Sequence, residues 1–285
     1  MRVNKVHCPE FESVQAAIEF GSQPASPGWK EPNKRSSRDD DKKFRGTASW
    51  SETKQLANDG WAKGRAKVAA NLAAIFESGA ASLTSMPAVT HEVGGAYPDV
   101  PLYVAGEVAH MVNEGDDQLG HRPIIRLLID LTASCAINQS QLANRGAAVA
   151  ALVDQIESAG NSCEVWCTFA TESNRKLFAP LISVKTAGAP LPIDELAFAI
   201  GHPSMLRRVL FALIEADDFT DNAGFEEGYG MPRQLPAVSL DPTVIYIPGI
   251  VNDGSASRTP EAAMDEVRTS YNRQAADKGL REVGQ

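Results

Sequence analysis

Hydrophobic residues in the middle of the chain alternate between short continuous runs and helical spacing. Residues 124–129 form an apolar run, which is typical of a strand covered on both faces. Residues 141–158 then predict an amphipathic helix, because one stripe collects Val149, Leu152, Val153 and Ile156. Gly160 can end this helix, and a second strand follows at 163–169. A strand, a helix and a strand of these lengths predict a right-handed parallel crossover.

The same alternation continues to the end of the chain. Further strands are predicted at 181–185 and 243–248, and helices at about 194–201 and 204–216. A final helix starts at Thr259-Pro260-Glu261, with a capping residue, a first-turn proline and an early acid, and frays after Gly279. We therefore expect an α/β fold: a mainly parallel sheet flanked by helices, with 124–129, 163–169 and 243–248 as central strands.

The N-terminal part has a different pattern. Residues 11–18 predict a helical turn, and residues 21–46 a mobile loop with a charge run at 34–43. Two short helices follow, ending near Asn58 and at about 77, and residues 80–120 look irregular. That stretch holds one short predicted strand near 101–104 and a helical turn at 107–112. This organisation gives an N-terminal segment (1–46), a helical segment with an irregular connection (47–120), an α/β domain (121–279) and a tail (280–285).

Composition narrows the class of protein. The chain has 285 residues, 43% of them hydrophobic and 22% charged, as in a soluble globular protein. Its net charge of −9 argues against a protein whose whole surface binds nucleic acid, since phosphate contacts need clustered Lys and Arg. We expect no signal peptide and no membrane span, because no apolar run has the necessary length. The four cysteines (Cys8, Cys135, Cys163 and Cys167) form no C-x-x-C pair, and we expect free thiols in a reducing compartment.

Polar residues follow the first predicted strand. Asp130, Thr132 and Ser134 come at its carboxyl end, where ligands of parallel sheets bind. This spacing resembles the Asp-x-Ser-x-Ser signature of von Willebrand factor A domains, with Thr132 in place of the first serine. The resemblance implies a Mg²⁺ ion held with a later Thr and Asp, for which Thr186 and Asp253 are available. The alternative is that Asp130 and Thr132 only cap the following segment by bonding its backbone.

Two further groups have candidate chemistry. His202 could be a general base or a helix cap, and Arg207 and Arg208 could contact an anion or a partner, or pair with nearby acids. The basic half of the 34–45 loop could touch phosphate, and scattered aromatics could stack on bases: Trp50, Trp61, Tyr97 and Tyr103. Core packing is the more frequent role of such aromatics.

Four segments together resemble a family of uncharacterised proteins of tailed bacteriophages. They begin at Trp50-Ser-Glu, Asp99-Val-Pro-Leu-Tyr, Asn144-Arg-Gly-Ala-Ala and Leu196-Ala-Phe-Ala-Ile. The similarity covers most of residues 46–216. It implies a viral protein in the cytoplasm of an infected bacterium, with a von Willebrand factor A-like or Rossmann-like core.

No catalytic set accompanies this fold. The first hypothesis is a non-enzymatic, phage-encoded protein that binds another macromolecule. The favoured partner is a phage or host protein. One alternative is a Mg²⁺-dependent enzyme or adhesion-type domain centred on Asp130. Another is a single-stranded nucleic-acid-binding protein.

Overall fold

The chain is a mixed α/β protein in the computed structural model. The structure describes residues 5–26, 37–38, 42–78, 89–95, 97–114, 124–134, 137–173, 175–221, 229, 231–235, 241–250, 257–280 and 282–284. Helices and strands alternate along most of these ranges, as the hydrophobic pattern predicts.

Five of the ten described helices (α1, α3, α5, α6 and α10) begin at a capping side chain. In chain order they are α1 (Val14–Gly21), α2 (Lys42–Arg45), α3 (Trp50–Asp59), α4 (Ala62–Glu77), α5 (Val100–Val104), α6 (Gln139–Ser158), α7 (Ile193–Gly201), α8 (Leu210–Ala216), α9 (Asp218–Asp221) and α10 (Pro260–Asp277). Asn138 and Gln141 form a reciprocal capping box at the start of α6. The Thr259 side chain accepts a hydrogen bond from Ala262 N–H, which confirms the predicted start of α10. A π-helical turn, Met205–Val209, runs directly into α8.

The strands form three sheets. In chain order they are β1 (Lys5–His7), β2 (Glu10–Phe11), β3 (Val89–Glu92), β4 (Tyr97–Pro98), β5 (Met111–Glu114), β6 (Ile124–Asp130), β7 (Ser162–Thr168), β8 (Thr171–Ser173), β9 (Lys176–Phe178), β10 (Leu181–Lys185), β11 (Met231–Pro232) and β12 (Val244–Ile247). The sheet orders are β12-β6-β7-β10-β2, β1-β9-β8-β11 and β3-β5-β4.

The largest sheet is mixed. β6 and β7 are parallel, with Asp130 opposite Thr168, and α6 connects them as the predicted crossover helix. β12 is parallel to β6 but is an edge strand, so the prediction of a central position for it is wrong. β10 is antiparallel to β7, so the sheet is less parallel than predicted. The connection between them holds the strands β8 and β9, whereas parallel neighbours are usually joined by a crossover helix.

Helix α6 lies at the centre of the molecule. It packs against α4, α7 and α10, and most of its side chains are buried. The hydrophobic pattern indicates one apolar stripe, but the alanines between the stripe residues are also fully buried. A helix buried on nearly every side fixes the position of any polar side chain that it carries.

Residues 89–114, which we call the appendage, form a small unit of their own. β3 and β4 both pair antiparallel with β5, and α5 lies between β4 and β5 in the chain. The predicted strand near 101–104 is wrong, because Asp99 caps the Leu102 N–H and Pro101 suits a first helical turn. The predicted helical turn at 107–112 is also wrong, because residues 107–110 are not helical and β5 begins at Met111.

Two residues of the predicted mobile loop bond to other parts of the chain. Ser37 is fully buried, and its N–H donates to Glu215 Oε1 at 2.6 Å. The Arg38 guanidinium donates to Gly21 O at 2.7 Å and to Gln23 O. These two residues are thus bonded to the rest of the chain, and mobility of the loop stays a prediction. Residues 27–36 and 39–41 lie outside those described.

Within the described ranges, no single helix has both the length and the apolarity to cross a membrane. Among the described helices, one pair meets both criteria when its two members are counted together: Ile193–Gly201 and Met205–Ala216. The pair is bent by 60° at the break between them.

Candidate functional site

The carboxyl end of β6 places Asp130 inside the protein. This side chain is fully buried. Its Oδ1 accepts a hydrogen bond from Thr132 N–H at 2.8 Å, and its Oδ2 accepts one from the Tyr246 hydroxyl. Burial raises the pKa of the Asp130 carboxyl, and the hydrogen bonds from Thr132 and Tyr246 oppose that rise. Both carboxylate oxygens are thus bonded to protein donors, which is the arrangement of a capping residue.

The two hydroxyl residues after Asp130 join neighbouring strand ends. The Thr132 hydroxyl accepts from Ala170 N–H at 3.0 Å, just beyond β7. Ser134 N–H donates to Ile250 O at 3.0 Å, beyond β12. A Cβ added at Gly249 would lie 2.4 Å from Thr132 O, so only glycine permits this close approach of the two backbones. The segment is therefore a tightly packed turn.

The residues that would complete a Mg²⁺ site do not gather there. Leu181 of β10 lies opposite Thr168, whereas Lys185 lies opposite Val165. Thr186, which follows Lys185, therefore lies away from the strand end that carries Asp130, and a metal site there stays a prediction. Asp253 lies outside the described residues. Within the ranges the structure describes, no three His, Cys, Asp or Glu side chains are grouped to hold a metal ion.

Sequence reasoning missed the most buried cation of this region. Arg145 of α6 is 2% exposed, and its Nη2 donates to Asp130 O and Ile247 O, both at 3.3 Å, and to Pro248 O. Its Nε and Nη1 have no hydrogen-bond partner among the described residues. Burial lowers the pKa of Arg145, and the charges of Glu266 and Asp130 oppose that effect. A charged residue within the predicted helix, just after the polar loop, was the available signal.

The buried thiols next to this region are poor nucleophiles. Cys163 and Cys167 are free and buried, as predicted. Burial raises the pKa of each thiol to about 12, so both remain protonated near neutral pH. Cys135 lies outside the described residues.

The predicted cluster around His202 is internal. His202 is 4% exposed and shares a 2.6 Å hydrogen bond between its Nδ1 and Ser204 Oγ. Arg207 donates to Phe44 O at 2.9 Å and to Ile137 O at 3.3 Å, with its guanidinium 4.4 Å from the Phe44 ring centroid. These contacts stabilise the packing of α2 against the π-helical turn.

Arg208 fixes the segment before α3 in the same way. This side chain is fully buried. Its Nε and Nη2 donate to Thr47 Oγ1 and Thr47 O at 2.8 and 2.9 Å, and its Nη1 donates to Ser37 O at 2.9 Å. The guanidinium is thus directed at neutral oxygens of this chain, which indicates a structural role for it.

The residues considered for nucleic-acid stacking separate into two groups. Trp61 is buried, with its ring centroid 4.6 Å from that of His202, and Trp50 Nε1 donates to Ser22 Oγ at 3.1 Å. Tyr97 and Tyr103 are exposed in the appendage. In the sequence, both are distant from the basic residues of the 34–45 loop. Only the two tyrosines therefore present their rings at the surface.

A cavity of about 590 Å³ contains a histidine and a carboxylate in contact. His7 Nε2 lies 3.1 Å from Asp217 Oδ2, and the His7 ring stacks on Phe219. The one hydroxyl side chain among the described lining residues is Ser26, which donates to Asp218 Oδ1 at 2.7 Å. The pair could exchange a proton, but Ser26 is not directed at His7 as a nucleophile would be.

Exposed apolar side chains concentrate in the appendage. Six of its residues are between 48% and 77% exposed: Val93, Tyr97, Val100, Tyr103, Val104 and Val108. Outside the appendage, the described large hydrophobic residues with comparable exposure are Val6, Phe44 and Ile124. Exposed apolar side chains concentrated on a small unit are typical of an interaction surface. We therefore take the appendage as the candidate functional site.

Comparison with known proteins gives one match. The family model described as a domain of unknown function (DUF7192) covers residues 2–275. No curated protein and no solved structure matches the chain.

Proposed function

The chain belongs to the DUF7192 family, a domain of unknown function, and we propose that it is a non-enzymatic protein that binds another protein through the appendage. The observation that supports this proposal most is the exposure of the six apolar and aromatic side chains there. Such groups gain free energy when a partner removes them from water.

The appendage has almost no core of its own. Val112 is its one buried apolar side chain among those described, while α5 has no buried residue at all. Burying the exposed valines against the body of the protein would be favourable, by about 1.5–3 kcal/mol for each side chain fully covered. Their exposure is therefore costly in the isolated chain and becomes useful when a second protein covers them.

The residue types also suit an interface. Val100, Tyr103 and Val104 share one face of α5 at positions i, i+3 and i+4. Tyr103 packs on His110, with the ring centroids 5.0 Å apart, so the ring is held in place before binding. A tyrosine with few free rotations is a frequent source of binding energy at protein interfaces.

We also propose that the protein is phage-encoded and acts in the cytoplasm of the infected bacterium. The four segments that resemble bacteriophage proteins support this origin, and three of them belong to α3, α6 and α7, with the fourth in the appendage. The parallel strands β12, β6 and β7 with α6 support the further proposal of a von Willebrand factor A-like or Rossmann-like unit.

The test uses the full chain in infected bacteria. A photo-crosslinking amino acid replaces Tyr103 in one version and Ile124, an exposed apolar residue outside the appendage, in the control. The protein captured from position 103 is then purified, and its binding is titrated against the wild type and against Val100→Ser/Val104→Ser.

We expect the double variant to bind at least about tenfold more weakly, because each valine that a partner fully covers contributes about 1.5–3 kcal/mol. Val100 and Val104 are exposed, so the free energy of unfolding should change by less than about 0.5 kcal/mol. Equal crosslinking at 103 and 124, or equal affinity of the double variant for the purified protein, would contradict the proposal.

A further inference from the structure

The appendage combines its apolar groups with negative charge. Between residues 89 and 114 there are four carboxylates (Glu92, Asp99, Glu107 and Glu114) and no Lys or Arg. Nearly half of the net charge of −9 is therefore carried by 26 of the 285 residues. A surface of one sign favours partners of the opposite sign.

Three of the four acidic residues are adjacent in the sequence to exposed apolar residues. Glu92, Asp99 and Glu107 each stand immediately before an exposed valine, which is Val93, Val100 or Val108 respectively. Glu92 and Glu107 are themselves exposed. A partner that covers the valines must consequently come close to these carboxylates.

The third carboxylate is held in a charged state. Asp99 Oδ1 accepts from Leu102 N–H at 3.2 Å, and Asp99 Oδ2 lies 3.1 Å from His91 Nε2. The hydrogen bond from Leu102 and that from His91 lower the pKa of Asp99. The carboxyl therefore remains ionised at neutral pH beside the apolar face of α5.

We infer that the partner of the appendage is a cationic protein segment that pairs Lys or Arg with apolar side chains. This inference rests on the proposed protein-binding function and specifies the chemistry of its partner. A second copy of this chain would bring two sets of the carboxylates Glu92, Asp99 and Glu107 together, and nucleic acid would bring phosphates to them. Both contacts are repulsive, whereas Lys and Arg can place their stems on the valines and their charges beside the acids.

An unbiased selection of binding peptides tests this partner chemistry. A random peptide library is displayed and selected on the immobilised full chain, and the enriched peptides are synthesised and titrated against four proteins. The proteins are the wild type, Val100→Ser/Val104→Ser, Glu92→Gln/Glu107→Gln, and the control Glu12→Gln/Glu19→Gln. The control removes the same charge from exposed residues of the N-terminal segment.

We expect enriched peptides with a net positive charge and with aromatic or aliphatic residues. Glu92→Gln/Glu107→Gln should weaken their binding at least about fivefold, and raising NaCl from 0.05 to 0.5 M should weaken it similarly, because salt screens exposed charges. The Glu12→Gln/Glu19→Gln control should bind as the wild type does.

The other outcomes distinguish failure of this inference from failure of the proposed protein-binding function. Peptides that need Val100 and Val104 but are neutral or acidic, or that are insensitive to the loss of Glu92 and Glu107, overturn the cationic partner and leave the proposed function standing. Sedimentation that shows a dimer abolished by Val100→Ser/Val104→Ser also overturns it in favour of a second copy. Peptides insensitive to every appendage variant overturn both.

Discussion

Several buried polar residues of this protein form hydrogen bonds with other groups of the same chain. Asp130 accepts hydrogen bonds from Thr132 and Tyr246, whereas Arg145 and Arg208 donate to oxygens of other segments. All three are almost completely buried. A buried polar group is costly unless it is bonded, and its removal leaves a bonding partner unsatisfied. At this scale the polar residues define which strand ends and loops lie together.

Asp130 provides the first prediction at the residue scale. Millimolar Mg²⁺ should leave the melting temperature of the wild type unchanged, because both carboxylate oxygens already accept hydrogen bonds. Differential scanning fluorimetry with and without the ion measures this, since a ligand of the folded state raises the melting temperature by mass action. A rise that disappears in Asp130→Asn would show that the ion displaces these bonds.

His202 predicts a pH dependence of stability. Burial lowers the pKa of His202 to about 4, while the charge of Glu52 opposes that effect. Between pH 6.5 and 4 the unfolded chain binds a proton on this histidine and the folded chain does not. The free energy of unfolding should therefore fall by about 3 kcal/mol as the pH drops through this window.

Urea denaturation at several pH values between 4 and 7.5 measures this slope. Asp130 contributes with the opposite sign, because its pKa is raised and its protonation stabilises the folded state. Comparison with the His202→Gln variant therefore isolates the histidine. In that variant, the fall of about 3 kcal/mol in the free energy of unfolding between pH 6.5 and 4 should be absent. An equal slope in both proteins would assign the pH dependence to other groups.

At the scale of single elements, two helical glycines have opposite surroundings. In α4 the Trp61 ring lies over Gly64, so an added Cβ would be 1.8 Å from a ring carbon. In α6 the nearest atom to a Cβ added at Gly146 is Val68 Cγ2 at 3.7 Å, an ordinary contact. The two glycines therefore make a matched pair for one substitution.

We expect Gly64→Ala to destabilise the protein by about 1–3 kcal/mol, because the indole must move from a packed position. Gly146→Ala should stabilise it by about 0.5–1 kcal/mol, since alanine has the better helix propensity. Chemical denaturation of both variants measures the two signs. Stabilisation by Gly64→Ala would mean that Trp61 is free to leave its place over the helix.

At the scale of the whole molecule, stability should be unevenly distributed. α6, β6 and β7 lie in the main core, whereas the appendage has one buried apolar side chain among those described. Local opening is easiest where few apolar contacts must be broken. The appendage should thus open without the rest of the fold.

Hydrogen exchange followed by mass spectrometry tests this distribution. Backbone amides of residues 97–112 should exchange at least roughly a thousandfold faster than those of β6 and α6, because opening the core costs the global free energy of unfolding. The difference should shrink when the partner of the appendage is bound. Equal protection of both regions in the free protein would argue that the appendage is stable on its own account.

The amino-acid sequence by itself determined the local elements. Apolar runs and capping residues locate β6, β7 and α10 correctly, because burial on both strand faces and satisfied helix ends depend on residues close together in the chain. The same local rules failed near Pro101, where a proline that suits a first helical turn was interpreted as part of a strand. Residues 89–114 contain four acidic residues and no Lys or Arg, but the sequence does not show which of them are exposed.

Only the tertiary structure decided the direction of β10, the edge position of β12 and the surroundings of Asp130. Strand order depends on which distant segments pair, and no local spacing specifies that choice. The antiparallel β10 moves Thr186 away from Asp130, and the approach of Tyr246 and Arg145 fills the space beside it with protein groups. Exposure of the appendage is a property of the same kind: a valine is exposed or buried according to what the rest of the chain covers, because hydrophobic burial is non-directional and is satisfied by any apolar neighbour.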